Sequence, residues 1–353
     1  MRNFAMTNCN LNLSQFLMIG LPGFVLDDET LLNITNCGIC NFILFKRNVL
    51  HHNQLKLLCT QLKEACKNAG LPPPIIAVDQ EGGEVQRLGP PRWPKLISNR
   101  EVGRQLNPIS EAQRQATEAA LALKDCGIPL NLAPVLDIYR GSQETLLQER
   151  SYGSDERLVA DCGTAYIGTL QSHGIAATAK HFPGIGSVTT DPHHTRPVVP
   201  AELSLESELL PFIEAIDTNV AAMMTSHVVY EALDSGVPAT FSYKIAHELL
   251  RERLGFKGIL LTDDLEMGGI HTMDHITDAG IRAFQAGHDL LLVCHHQDQA
   301  LDIIAALELE LKQGRIPLER IAESARRLQR FRERYCSDDH AQNERLDTED
   351  PAS

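Results

Sequence analysis

Residues 174–184 read GIAATAKHFPG. The opening run, Gly174–Thr178, is short, apolar and β-like, and it starts at a glycine that closes a helical pattern. Behind it come a cation and an imidazole, Lys180 and His181, and then a Pro183-Gly184 turn. An apolar strand that delivers charged side chains at its C-terminal end is what a parallel sheet covered on both faces produces. In a (β/α)8 barrel the chemistry sits at those ends.

The same pattern recurs on both sides. Further β-like runs are expected at Phe16–Ile19, Asn41–Phe45, Pro74–Val78, Leu130–Val135, Ala221–Ser226, Gly258–Thr262 and His288–Val293. Amphipathic helices fall between them. One runs through Gln54–Ala65, where Leu55, Leu58, Cys59 and Leu62 recur at helical spacing. Others cover Glu111–Lys124, Arg157–Gln171, Glu208–Ile216 (Pro211 in its first turn) and Ile245–Arg253. Strands alternating with helices in this way predict an α/β fold, a single (β/α)8 TIM-type barrel. A doubly wound open sheet is the alternative, but its Gly-rich dinucleotide fingerprint is missing. Two helices close the chain. The first is Gln297–Gln313, and Pro317 starts the second at its N1 position, with Leu318, Ile321, Ala325 and Leu328 as the apolar stripe. The expected organisation is an N-terminal extension over 1–15, a catalytic barrel over 16–335 and a disordered acidic tail over 336–353.

Bulk properties narrow the function classes. Of the 353 residues 43% are hydrophobic, enough for a sizeable core. The net charge of −14 argues against a nucleic-acid or anionic-membrane partner. No apolar run has transmembrane length, and the N-terminus has no signal-peptide pattern, so a cytoplasmic location and a monomer are expected. The nine cysteines are odd in number and scattered, which suits reduced, buried thiols. Cys37-Gly-Ile-Cys40 has redox spacing, but it lies between a helix end and a strand, and packing is its expected role.

Polar residues gather just past the strand ends: Asp79, Glu81 and Arg87 after Val78, Asp137 after Val135, Lys180-His181, His227 after Ser226, and Asp263-Asp264 after Thr262. Beyond Gly184 the chain reaches Asp191 and His193, two residues apart, so in an extended loop their side chains point the same way. A carboxylate so placed accepts a hydrogen bond from one ring nitrogen and leaves the other free for proton transfer.

Seven stretches, in this order, resemble glycoside hydrolase family 3, in its single-domain bacterial β-N-acetylglucosaminidase (β-hexosaminidase) branch of the peptidoglycan-recycling type. They are ILFKRN (43–48), AVDQEGGEVQRL (77–88), NLAPVLDI (131–138), ERSYG (149–153), ATAKHFPG (177–184), MTSHVVYEALD (224–234) and LLTDDLEM (260–267). The resemblance implies Asp263 as the nucleophile of a retaining glycosidase. It implies His193, oriented by Asp191, as acid and base. It places Asp79, Arg87, Arg150, Lys180 and His181 around the sugar, and no cofactor or metal. The implied substrate is a small carbohydrate with a terminal β-linked GlcNAc, such as a GlcNAc–anhydromuramyl peptide. The chain departs from the family pattern KHFPGHG, then Asp, then DSH: Ile185 stands for the His, Ser187 for the Asp and Pro192 for the Ser. Pro192 fixes its φ near about −65° and biases Asp191 away from helix.

Other readings compete. His181, His193, His194, His227 and Asp263 are enough ligands for metal-dependent hydrolysis, though without a compact ligand motif. Lys180 at a strand end can form a Schiff base. A sugar-binding pseudoenzyme, or a β-glycosidase of different sugar specificity, would fit the altered loop.

Overall fold

The computed structural model describes residues 12–141, 145–190, 197–201, 205–267 and 275–337. Eight strands form the centre: β1 Leu17–Gly20, β2 Asn41–Leu44, β3 Ile75–Val78, β4 Leu130–Asn131, β5 Ala176–Phe182, β6 Ala222–Thr225, β7 Ile259–Asp264 and β8 Leu290–Val293. Each pairs in parallel with the next, and β1 pairs with β8 to close the ring. The expected (β/α)8 barrel is therefore the fold. Its strands read as continuous apolar runs, IIAV, AMMT and LLLV, because barrel side chains meet on the inside and helices cover the outside.

The helices follow from their apolar stripes. They are α1 Asp28–Cys37, α2 His52–Asn68, α3 Pro108–Cys126, α4 Glu156–Ser172, α5 Leu205–Asp217, α6 Lys244–Arg253, α7 Ile276–Ala286, α8 Gln297–Lys312 and α9 Leu318–Tyr335. In α2 the buried residues are Leu55, Leu58, Cys59, Leu62, Ala65 and Cys66, one stripe. Each such leucine taken out of water contributes roughly 1.5–3 kcal/mol. Asp27 and Asp155 cap α1 and α4, accepting from the backbone N–H of Thr30 and Leu158 at 2.8 Å. The eight described cysteines carry free thiols; in the Cys37/Cys40 pair, Cys37 ends α1 and Cys40 is buried.

Several boundaries move. Strand β4 stops at Asn131, because Pro134 has no N–H to give the ladder. Strand β5 runs on through His181, and β7 through Asp264, so three expected site residues lie in strand ends rather than after them. Helix α5 begins at Leu205, with Glu206 and Glu208 in its first turn, where carboxylates are favoured. Pro211 is thus well inside the helix, not in its first turn. Pro317 is the N-cap of α9 rather than N1: its ψ of 142° is extended. Helix α6 is wound wide, and the Leu254 N–H reaches back five residues to Leu249 O at 2.9 Å.

Helix α9 is fastened to the barrel by a buried carboxylate. Asp289, fully buried just before β8, accepts from Arg251 at 2.7 Å, from Arg327 at 2.9 Å and from the Leu260 N–H at 3.0 Å, and also from Ser324. Burial would raise its carboxyl, but Arg251, Arg327 and Arg320 hold it below the ordinary value.

Candidate active site

The C-terminal strand ends enclose a cavity of about 260 Å³, near the small end of ligand pockets. Asp79, Glu81, Arg87, Lys180, His181 and Asp263 line it among others. Gly82 and Gly83, at φ of 109° and 60°, turn the chain after β3. Gln86 then pairs antiparallel with Gln80, and Arg87 comes back over Asp79.

Five charges interlock at its base. The ammonium of Lys180, 2% exposed, sits 2.9 Å from Asp79 Oδ1 and 2.6 Å from Glu81 Oε1. Arg150 forks onto Glu81 through Nε and Nη2 at 2.8 and 2.9 Å. Arg87 Nη2 donates to Asp79 Oδ2 at 3.1 Å. Burial would raise the Asp79 carboxyl; Lys180 and then Arg87 outweigh it and pull it down to about 2. Glu81 is lowered in the same way, against burial, by Lys180 and Arg150. Burial would lower Lys180, but Asp79 and Glu81 raise it, so it stays an ammonium at neutral pH. A Schiff-base role needs the free amine, and this environment opposes it. Arg87 Nε is shielded and bonds to nothing among the described residues, while the side chain as a whole stays 22% exposed at the cavity.

Asp263 faces this group across the cavity. Its Oδ1 accepts from the Asp264 N–H at 2.8 Å, and its Oδ2 lies 4.0 Å from His181 Nε2. The backbone thus fixes one oxygen and the other looks toward the cavity. His181 is set from behind: its Nδ1–H donates to Asp137 Oδ2 at 2.7 Å, and its backbone N–H is 3.2 Å from both Asp137 oxygens. Asp137 also accepts from the Ile185 N–H at 3.0 Å. His227 is half-buried beside Asp264, with Nε2–H donating to the Asp264 carbonyl at 3.0 Å, and desolvation lowers its basicity against the pull of Asp263. Asp264 turns to the backbone, accepting from Glu266 and Cys294 N–H at 3.1 and 3.3 Å.

The loop after β5 starts under tight constraint. A Cβ on Gly186 would lie 1.6 Å from Ile138 O, so only glycine fits there. Ser187 donates to Glu208 Oε1 at 3.0 Å, and Arg140 Nε reaches the same oxygen at 3.1 Å. Asp191, Pro192, His193 and His194 lie outside the described residues.

The structure thus brings Asp79, Arg87, Arg150, Lys180, His181 and Asp263 to one cavity. Glu81 had no role assigned from the sequence, yet it is the acceptor both for Arg150 and for Lys180. Phe45, with Arg47 at 4.5 Å and Arg87 at 5.8 Å over its ring, adds an aromatic wall. Among the described residues no group of three or more His, Cys, Asp or Glu is arranged to hold a metal ion. No described helix is long and apolar enough to cross a membrane.

The glycosyl hydrolase family 3 N-terminal domain matches residues 10–331. A β-hexosaminidase of Bordetella parapertussis is 34% identical over 331 residues, 92% of this chain and 89% of the relative. The family 3 β-N-acetylglucosaminidase of Paenibacillus sp. str. FPU-7 superposes with a TM-score of 0.86 and 34% identity over 94% of this chain, which spans 63% of that protein. NagZ from Neisseria gonorrhoeae, in complex with N-trifluoroacetyl-D-glucosamine, superposes with a TM-score of 0.73 and 29% identity over 88% of this chain and 96% of that one. With its closed parallel barrel and a match over nearly its whole described length, the chain belongs to glycosyl hydrolase family 3.

Proposed function

We propose that this chain is a retaining exo-β-N-acetylglucosaminidase that releases terminal non-reducing GlcNAc from β-linked glycosides, with muropeptides of cell-wall recycling as its substrates. As a family 3 member whose curated relatives include β-hexosaminidases, it is a glycoside hydrolase of the β-N-acetylhexosaminidase type. The observation that carries the reading is the pairing, across one small cavity, of the Asp263 carboxylate with the Asp79–Arg87–Lys180 group.

Asp79, held ionised, can accept from two sugar hydroxyls, while the half-buried guanidinium of Arg87 beside it can donate. These contacts hold the ring so that the anomeric carbon faces Asp263 Oδ2. Attack forms the bond from Oδ2 to the anomeric carbon and breaks the glycosidic bond. His193, oriented by Asp191, gives its proton to the departing oxygen. The same imidazole then takes a proton from water, which displaces Asp263. Cavity size supports exo action, since it suits one ring. We place the enzyme in the cytoplasm, which the free and mostly buried thiols support, and take it to act as a monomer.

The test is a fluorosugar trap with peptide mapping, run beside proton NMR of early product from a GlcNAc–anhydromuramyl peptide. A label on Asp263 and initial β-GlcNAc are expected. A label elsewhere, initial α-GlcNAc, or inertness toward this substrate beside rapid β-glucoside hydrolysis would overturn the respective part. An inert chain that binds GlcNAc would be the pseudoenzyme.

A further inference from the structure

The aim of the nucleophile hangs on one peptide unit, since Asp263 Oδ1 accepts from the Asp264 N–H at 2.8 Å. The backbone ladder does not reach that peptide from the β6 side. Its register runs from Ala222 and Ile259 through Met223 and Leu260 to Met224 and Leu261, and stops there. Thr262, Asp263 and Asp264 continue β7 past it. On the β8 side the register shifts between Leu261 and Asp264, and side chains bridge the gap. Thr262 Oγ1 accepts from the Leu292 N–H at 3.0 Å, and Asp264 Oδ1 from the Cys294 N–H at 3.3 Å. On the β6 side the same task falls to His227, which follows that strand and lies 3.0 Å through Nε2 from Asp264 O.

The contacts fix which ring nitrogen carries hydrogen. A carbonyl oxygen only accepts, so Nε2 must donate. Nδ1 sits 2.7 Å from the hydroxyl of Thr240, a buried residue in the tight turn Ala239–Phe241. That hydroxyl is also 2.9 Å from Ser226 O, but Ser226 O already accepts from the Thr240 N–H at 3.2 Å. The hydroxyl proton is therefore available to Nδ1, the shorter contact. A ring with its proton on Nε2 and an occupied lone pair on Nδ1 is neutral, the form that desolvation favours here. A neutral donor holds the strand without pairing with the charge that Asp263 needs for attack.

We propose that His227 is a positioning residue for the nucleophile: by holding the Asp264 carbonyl where the β6 ladder has ended, it keeps the Asp264 N–H on Asp263 Oδ1 and leaves Oδ2 turned to the anomeric carbon. The inference rests on the retaining reading above, with Asp263 as the nucleophile. Thr240 acts one step further back, by keeping the proton on Nε2. The sugar is held elsewhere in the cavity, on Asp79, Arg87 and Lys180, so His227 serves attack rather than binding.

The experiment uses dinitrophenyl β-GlcNAc, whose leaving group needs little protonation, so that kcat/KM reports attack rather than acid catalysis. His227→Phe keeps a ring and removes the donor. It should lower kcat/KM about 10–10²-fold while the GlcNAc inhibition constant, which shows the variant folded, stays within about twofold. His227→Gln places an amide N–H at the reach of Nε2 and should recover most of that loss. Thr240→Val should lower the rate less. In protein with ¹⁵N-labelled histidine rings it should also move the His227 signal, identified by its absence from His227→Phe, away from the Nε2–H tautomer. Fluorosugar labelling of the wild-type chain runs beside these. A wild type left unlabelled at Asp263 overturns the retaining reading and this inference with it. A labelled wild type overturns this inference alone if His227→Phe keeps the wild-type rate, if His227→Phe and His227→Gln lose equally, or if the loss lies in GlcNAc affinity. A wild-type His227 signal of the Nδ1–H tautomer does the same, whichever variants fold.

Discussion

Lys180 shows what a single residue does in this fold. Its ammonium is buried and stays charged because two carboxylates meet it, Asp79 and Glu81. Glu81 is in turn the acceptor that aims Arg150. Glu81→Ala would leave Lys180 with one partner and Arg150 with none in place. Breaking a buried pair from one side costs about 3–5 kcal/mol, so chemical denaturation should read a loss of that order. A loss below about 1 kcal/mol would mean that water enters to replace the carboxylate. Asp263→Ala removes no such partner. It should reduce aryl-GlcNAc turnover by about 10³-fold or more, over 4 kcal/mol of barrel-end chemistry, with folding intact. At this scale the sequence was readable for charged residues at strand ends, hence Asp79, Lys180 and Asp263. The job of Glu81 was not, because it depends on the ends of β3 and β5 and the short helix Thr145–Arg150 converging at one point.

Among the elements, the loop that leaves β5 couples shape to chemistry. Its first part is pinned: Ile185 N–H to Asp137, Gly186 against Ile138 O, and Ser187 to Glu208. Asp137 holds His181 as well, so one carboxylate sets both a cavity side chain and the loop base. Gly186→Ala should push this base away, at an overpacking cost of about 1–3 kcal/mol. Because the loop leads to His193, kcat should fall while inhibition by GlcNAc changes little. Steady-state kinetics with a GlcNAc inhibition series read both, and a loss confined to inhibitor affinity would mean the loop serves binding. His193→Ala should slow aryl glycosides by about 10²–10⁴-fold when the leaving group is poor, and far less when it is good. A uniform loss across leaving groups would contradict the acid role. The eight strands were legible because a barrel strand is a continuous apolar run. The ends of β4 and β5 were not, since Pro134 and the pairing past Thr178 act through neighbours rather than through local pattern.

Over the whole molecule, the buried carboxylates tie stability to pH, and the sign follows from their direction. Asp79 is lowered to about 2 from an ordinary 3.8, and Glu81 and Asp289 are also lowered. A lowered carboxyl binds its proton more readily in the unfolded chain. Its contribution is therefore complete above the ordinary value and is lost as pH falls through the folded one. Glu208 and Asp264 are raised, mainly by burial, and so oppose this between their ordinary and raised values. Three lowered groups, each held by two or more cations, sit at both ends of the barrel, so acid should open the fold as one unit. Stability should be nearly level from neutral pH down to about 5 and fall steeply below about 4. In Asp79→Asn one proton no longer takes part. Between 3.8 and about 2 the fall of stability with pH should then be shallower by about 1.4 kcal/mol per pH unit. Urea denaturation of both proteins across that window measures the slope, and parallel curves would mean that Asp79 is not held ionised by Lys180 and Arg87.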